Sequence, residues 1–373
     1  MDLEKSVRTS SLPVDVDGLG LLIARTQRKT GEIPWHEGGK TDPWDMVEAA
    51  MGLTVAGYFR EARRAFEWMA RTQIEDGSWY AAYRDGNPED RTRDANMSSY
   101  ISVGVFHHYL VTRDLPFLRK MWRTVRSALD FALNLQAPSG QIHWAISPEG
   151  KVDPVALLTG SSSIFLSLKC GLAIAGQLGH EQLSWWKGLA GLGKAIRHRP
   201  HLFDMTKARY SMDWFYPVLC GAVTGEAARK RIERSWKKFV VHDLGVRCVS
   251  DQPWVTIAES CELALALSAI GQHKLSRMIF DWVRDRTFED GSYWCGFTFP
   301  DRVIWPGEKI TWTNGVVLLA ADAMFDLTPA SRFFHHEFWN SHLFRAGPEA
   351  RDAGEPSEPP ACTEEEMTLS NFE

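Results

Sequence analysis

One loop element returns four times along the chain, each copy at the end of an amphipathic stretch and just ahead of another helix. The copies are Gln27-Arg28-Lys29-Thr30-Gly31 running to Trp35, Gln73-Ile74-Glu75-Asp76-Gly77-Ser78-Trp79, Gln136-Ala137-Pro138-Ser139-Gly140 running to Trp144, and Phe288-Glu289-Asp290-Gly291-Ser292-Tyr293-Trp294. In the first three, Gln precedes Gly by four positions. An element that recurs at helix ends marks stacked helical hairpins, because one hairpin cannot bury its apolar face alone. The chain is therefore expected to be all-α.

Helical periodicity comes in pairs along the rest of the sequence. The pairs read as 17–27 with a helix entered at Asp42-Pro43-Trp44-Asp45, 60–73 with 94–111, 116–136 with 154–178, 180–198 with 211–223, 225–240 with 253–270, and 272–286 with 309–325. Asp before Pro at the start of the second helix is a good N-cap and N1 combination. These twelve helices in six hairpins predict an (α/α)6 toroid over residues 15–326, behind an N-terminal extension of residues 1–14. The first helix of a pair, as at 60–73 and 226–238, is charged on one face and belongs outside. The second, as at 98–108, 155–174 and 257–270, carries few charges and many Ala, Gly and Ser, and belongs inside. Connections from inner to outer helices are short, such as Val223-Thr224-Gly225, whereas those from outer to inner are long, and long ordered loops usually carry function. All six long loops are expected at one rim, together with the site. Residues 327–346 are expected to pack back through Phe333, Phe334, Phe338 and Trp339, and the Pro-, Glu- and Ser-rich residues 347–373 to be disordered.

Composition removes several classes of function. A net charge of −5 without a basic run gives no general attraction to phosphate backbones, so nucleic acid is not expected as a partner. The six cysteines are scattered with no C-x-x-C pair, which predicts reduced thiols and neither a disulfide framework nor a metal knuckle. With no apolar run ahead of Pro13 and no stretch of about 18 apolar residues, neither a leader nor a membrane span is expected, and the cytoplasm is the default location. The sixteen Trp are roughly three times ordinary usage, and indole suits a wet groove as well as a core.

The Gln-x-x-x-Gly-x-x-Trp element resembles the QW repeat of terpenoid cyclases and, more weakly, the prenyltransferase toroids. The six-pair arrangement with aromatic and acidic loops on one face resembles the six-hairpin glycosidases. The first resemblance implies isoprenoid chemistry on a Trp and Tyr wall, yet the acid triplet of the squalene-type cyclases is missing and no zinc-ligand spacing of the prenyltransferases is present. The second implies carbohydrate hydrolysis by paired carboxylates without a cofactor.

The long loops carry the parts a sugar site needs, since sugar rings offer hydroxyls for hydrogen bonds and C–H faces for stacking. Trp35, His36 and Trp44 belong to the first loop, Tyr83 and Arg84 to the second. Tyr210, Trp214 and Tyr216 surround the start of the fourth inner helix, and Asp251 and Trp254 that of the fifth. Trp294, Trp305, Glu308 and Trp312 complete the circle. Glycoside cleavage needs a protonated carboxyl and a second carboxylate. Asp45, Asp94 and Asp213 stand at inner-helix starts, where an Asp serves equally as a cap, and Glu259 follows Asp251 and Trp254 in the opening part of the fifth. Asp213, followed by Trp214-Phe215-Tyr216, fits the acid best because an aromatic wall raises a carboxyl pKa, with Asp45 or Glu259 as its partner. His107 and His108 lie at the far end of their helix, where dipole compensation accounts for them. Arg84, Arg93 and Arg209 either bind an anionic sugar or neutralise local acids. The reading is thus a glycoside hydrolase acting on an oligosaccharide or other small substrate. An isoprenoid enzyme, a sugar epimerase or isomerase, and a glycan-binding toroid are the alternatives.

Overall fold

The computed structural model describes residues 12–340 and Met367. The paired helices are α1 Val16–Thr26 with α2 Pro43–Val55, α3 Phe59–Thr72 with α4 Ala95–Ser99 and α5 Ile101–Thr112, and α6 Leu115–Asn134 with α7 Leu158–Leu178. They continue as α8 Leu183–His198 with α9 Ser211–Leu219, α10 Gly225–Phe239 with α11 Ile257–Ala269, and α12 His273–Val283 with α13 Thr311–Phe325. The first members are amphipathic: α3 buries Ala62, Ala65, Phe66, Trp68 and Met69 and turns Arg60 and Arg63 to solvent. The second members are enclosed, and every residue of α11 is buried.

Those enclosed helices pack in sequence. Helix α2 lies on α5, α5 on α7, α7 on α9, α9 on α11 and α11 on α13, and α13 returns to α2. The last crossing is close because two glycines meet there: a Cβ on Gly52 would lie 2.5 Å from the Cα of Gly315. Each outer helix rests on the inner helix that precedes it, as α3 on α2 and α12 on α11, while α1 rests on α13.

The repeated element fastens one hairpin to the next. Gln27, Gln73 and Gln136 each donate from Nε2 to two carbonyls, that of Gly31, Gly77 or Gly140 in their own loop and that of Glu61, Thr124 or Gly188 on the next outer helix, all at 2.9–3.0 Å. The glycine is required by contact as well as by conformation. Gly77 has φ +94°, and a Cβ there would stand 2.1 Å from the Ser127 carbonyl oxygen of α6.

The chain is not purely helical, and the additions lie in the long loops. Strands β1 Ala82–Arg84 and β2 Asn87–Asp90 form a hairpin, and β3 Arg93–Asp94, β4 Ala145–Ile146 and β5 Val152–Asp153 a second antiparallel sheet. A third is built from β6 Val240–Val241, β7 Gly245–Arg247, β8 Trp254–Thr256 and β9 Gly296–Thr298. Loop backbone that covers a core needs hydrogen-bond partners, and pairing with an adjacent loop provides them. Such short strands carry no readable alternation, so the all-α expectation misses them. The second inner helix breaks at Tyr100, and the fourth, α9, contains Pro217 and ends at Leu219, ahead of the expected 223.

Beyond α13 the chain crosses the end of the molecule away from the long loops and forms α14 His336–Trp339. Phe333 and Trp339 pack on Phe106 of α5, His336 Nε2 donates to the Val218 carbonyl of α9 at 2.7 Å, and His335 Nε2 lies 3.0 Å from Ser268 Oγ of α11. The tail expected to be disordered lies outside the described residues, Met367 excepted. Helix α7, with 21 residues, is by length and composition alone long and apolar enough to cross a membrane; here its flanks pack on α5, α6, α8 and α9.

Candidate active site

Two inner helices separated in the ring by α13 each carry a pair of acids one turn apart, Asp45 and Glu48 on α2 and Glu259 and Glu262 on α11. The start of α2 explains the first pair. Asp42 caps the helix, accepting the Asp45 N–H at 2.9 Å on one oxygen and the Trp35 indole N–H at 2.7 Å on the other, with Pro43 setting the first turn. The cap presents Asp45 beside a second carboxylate. Burial, then the neighbouring Asp42, pushes the Asp45 pKa well above the usual carboxylate range, with Glu48 adding and Lys40 opposing. Asp45 nonetheless keeps partial access to solvent, whereas Asp42 is buried.

On α11 the third sheet sets the geometry, because β8 runs directly into the helix and the Ile257 N–H donates to the Cys295 carbonyl at 3.0 Å. Glu259 is 8% exposed, and its Oε2 has no hydrogen-bond partner. Buried carboxylate oxygens are almost always bonded, which makes this one a candidate for contact with a substrate. The Cys295 thiol, pushed up to about 12 by burial, also feels the charges of Glu259, Asp45 and Glu308. Acids from three different segments thus act electrostatically on one thiol.

Below them lies a floor of buried acids and phenols. Glu48 accepts from Trp44 Nε1 at 2.9 Å and from the Tyr100 hydroxyl at 3.4 Å, and burial holds its pKa at about 8 despite those bonds. The Tyr216 hydroxyl donates to Glu262, which burial and the proximity of Glu48 and Glu259 push well above the normal range. The Trp44 ring lies 5.6 Å from Tyr100 and 5.7 Å from Tyr216, so α2, α4 and α9 meet there.

The aromatic rim is partly as expected from the sequence. Trp35 and Trp312 approach edge to face at 6.2 Å, with Lys40 4.2 Å over Trp35. Trp254 donates to the Trp305 carbonyl at 2.9 Å and meets its ring at 5.0 Å, with Trp305 and Glu308 exposed. Trp294 packs on Phe297 at 5.9 Å, and the indole N–H groups of Trp294 and Trp312 are buried without a partner. His36, half-buried, lies by the Glu37 carbonyl at 3.0 Å. Asp94 caps α4 through the Met97 N–H, and burial lifts it to about 6, with a contribution from Asp42.

Other candidates are drawn elsewhere. The Asp213 carboxylate accepts from both the N–H (3.1 Å) and the hydroxyl (2.6 Å) of Thr159, bracing the start of α7 against α9, so the best sequence choice for the acid is already engaged. Burial still raises its pKa. Trp214 faces outward: its indole donates to the Arg231 carbonyl and its ring stacks on Phe239 at 5.3 Å. Tyr83 is buried beneath its own loop against Trp68. Arg84, Arg93 and Arg209 form ion pairs with Glu89, Asp76 and Asp251, which favours charge neutralisation and leaves Asp251 exposed and paired. Tyr210 is exposed, beside Lys207 and Arg209. His107 and His108 are buried and held neutral, at about 3 and about 4, by desolvation first, so they do not compensate a dipole. Sequence reasoning missed Glu48, Glu262 and Tyr100; for the two glutamates the signal was a second acid one turn beyond the first in a helix otherwise free of charge.

No family model matches this chain. The MMP endo-(1,4)-3-O-methyl-alpha-D-mannosidase of Mycolicibacterium hassiacum is 49% identical over 312 residues, 84% of this chain and 86% of that protein. Among solved structures, a glycosidase variant aligns with TM-score 0.65 at 15% identity, covering 84% of this chain and 96% of its own. The GH63 mannosylglycerate hydrolase of Thermus thermophilus, solved in complex with glucose, aligns at 0.62 and 11% identity, covering 81% and 99%. A D-mannose isomerase aligns at 0.65 and 10% identity, covering 83% and 96%, and these three likenesses speak for the fold alone.

Proposed function

Because the chain belongs to the family of the MMP endo-(1,4)-3-O-methyl-alpha-D-mannosidase and is a glycoside hydrolase, we propose that it cleaves internal α-1,4 links between 3-O-methylated mannose units, with Asp45 as general acid and Glu259 as its carboxylate partner. The observation that carries this reading is a pair of carboxyls, one on α2 and one on α11, that both act electrostatically on the Cys295 thiol. Burial and then Asp42 push the Asp45 pKa well above the usual carboxylate range while the residue keeps partial access to solvent, and Glu259 presents an oxygen with no hydrogen-bond partner among the described residues. Glycoside cleavage requires two carboxyls: one protonates the departing glycosidic oxygen, and the other acts on the anomeric side, directly or through water.

The cyclic packing of the six enclosed helices supports an (α/α)6 barrel with its catalytic rim on the long-loop side. The QW-like element acts as a staple between hairpins, a duty unrelated to substrate, so it carries no isoprenoid chemistry. A 3-O-methyl sugar exchanges a hydroxyl donor for an apolar cap, which suits indole walls such as Trp35, Trp254, Trp305 and Trp312 better than a lattice of polar groups. We place the activity in the cytoplasm, where the cysteines, unpaired among the described residues, would stay reduced. Incubation with a 3-O-methylated α-1,4-mannan should yield shorter oligosaccharides with new reducing ends, and the unmethylated polymer should react far more slowly. Equal rates on both polymers would remove the methyl-specific part of the reading, and no cleavage of either would remove the whole.

A further inference from the structure

At the end of the molecule away from the long loops, a cavity of about 190 Å³ is lined by Phe165, Lys169, Leu189, Thr224, His336 and Trp339 among others. Lys169 is the unusual member. It sits on α7, is 7% exposed, and has neither a hydrogen-bond acceptor nor a carboxylate against its Nζ among the described residues. Its ammonium lies 4.3 Å from the ring centroid of Trp339 and 5.8 Å from that of Phe165. A buried ammonium without an anionic partner is costly, and rings alone return only part of that cost. The Lys169 pKa is accordingly lowered, to about 8, by burial. His336 is neutral and donates its Nε2 hydrogen to Val218, so the group beside the amine offers no competing positive charge at neutral pH.

We propose that this cavity is a binding site for a small organic carboxylate, its anionic end on Lys169 Nζ and its apolar body against Phe165, Leu189 and Trp339. One amine as the only cationic group, with three apolar walls and the uncharged Thr224 and Asn340 at the lining, matches a singly charged acid with a hydrocarbon body better than a phosphate, whose higher charge calls for several cationic donors. The site is separate from the carboxylate cluster. Its lining residues include none of Asp45, Glu48, Glu259 and Glu262.

Calorimetric titration of the full chain with benzoate and butyrate, with benzyl alcohol as the uncharged control, tests the assignment. Lys169→Met replaces the amine by an apolar chain of similar length and removes a buried charge, so the variant should fold. Benzoate should bind the wild type, take up a proton near pH 8.5 as Lys169 becomes charged, and bind Lys169→Met at least about tenfold more weakly, while benzyl alcohol distinguishes little between them. Binding without proton uptake, equal affinity for the variant, or no binding of either acid would overturn the proposal. Cleavage of methylated mannan is read in parallel: its loss in both proteins would speak against the proposed function and leave this site standing.

Discussion

Trp44 donates its indole N–H to the carboxyl of Glu48 at 2.9 Å, one helical turn away on α2, while its ring bridges Tyr100 and Tyr216. One side chain thus joins the acid floor to three inner helices. Trp44→Phe keeps a ring but removes the donor, leaving Glu48 short of a bond. It should lower stability by about 1–3 kcal/mol, the usual cost of leaving a buried acceptor underserved. Denaturant unfolding of the two proteins measures this, and an unchanged midpoint would contradict it.

Glu48 also predicts the sign of a pH effect. Its pKa is raised from 4.5 to about 8, so between those values the folded state keeps a proton that the unfolded state has released. The stabilising contribution is complete below about 4.5 and is lost as pH rises toward about 8. Glu48→Gln preserves an acceptor for Trp44 and cannot ionise. Its stability relative to wild type should increase steadily across that window, and a difference independent of pH would exclude a protonated Glu48.

The staple glutamines should matter to folding and not to chemistry. Gln73→Ala removes both bonds from Nε2, to Gly77 and Thr124, at a cost of about 1–3 kcal/mol, with turnover per folded molecule unchanged. Thermal unfolding followed by assay of the remaining folded fraction checks both halves.

Asp213 separates what the sequence could tell from what it could not. Its position before an aromatic run made it the leading acid, but only coordinates reveal Thr159, 54 residues away in sequence, engaging its carboxylate. Asp213→Asn should therefore reduce stability by about 1–3 kcal/mol and change turnover by less than about tenfold. A loss of a thousandfold with an intact fold would restore it to the catalytic set.

The hairpin order was legible because helix period, charged outer faces and the Gln-to-Gly spacing are local signals. Asp45 and Glu259 were legible by position, at helix starts on the long-loop side. Their roles were not, since a cap and an acid look alike until burial and neighbours are known, as Asp42 beside Asp45 demonstrates. The direction of Trp214 was hidden for a related reason: α9 is packed on every side, so no periodicity separates its outward face from its inward one.

The most direct measurement is the pH dependence of kcat/KM on a 3-O-methylated mannan for the wild type and for Asp45→Asn. The account predicts a wild-type rate that falls at high pH as Asp45 loses its proton, and a variant slowed about 10²–10⁴-fold that has lost this descending limb. An Asp45→Asn protein with wild-type turnover, or one that keeps the same high-pH limb, would contradict it.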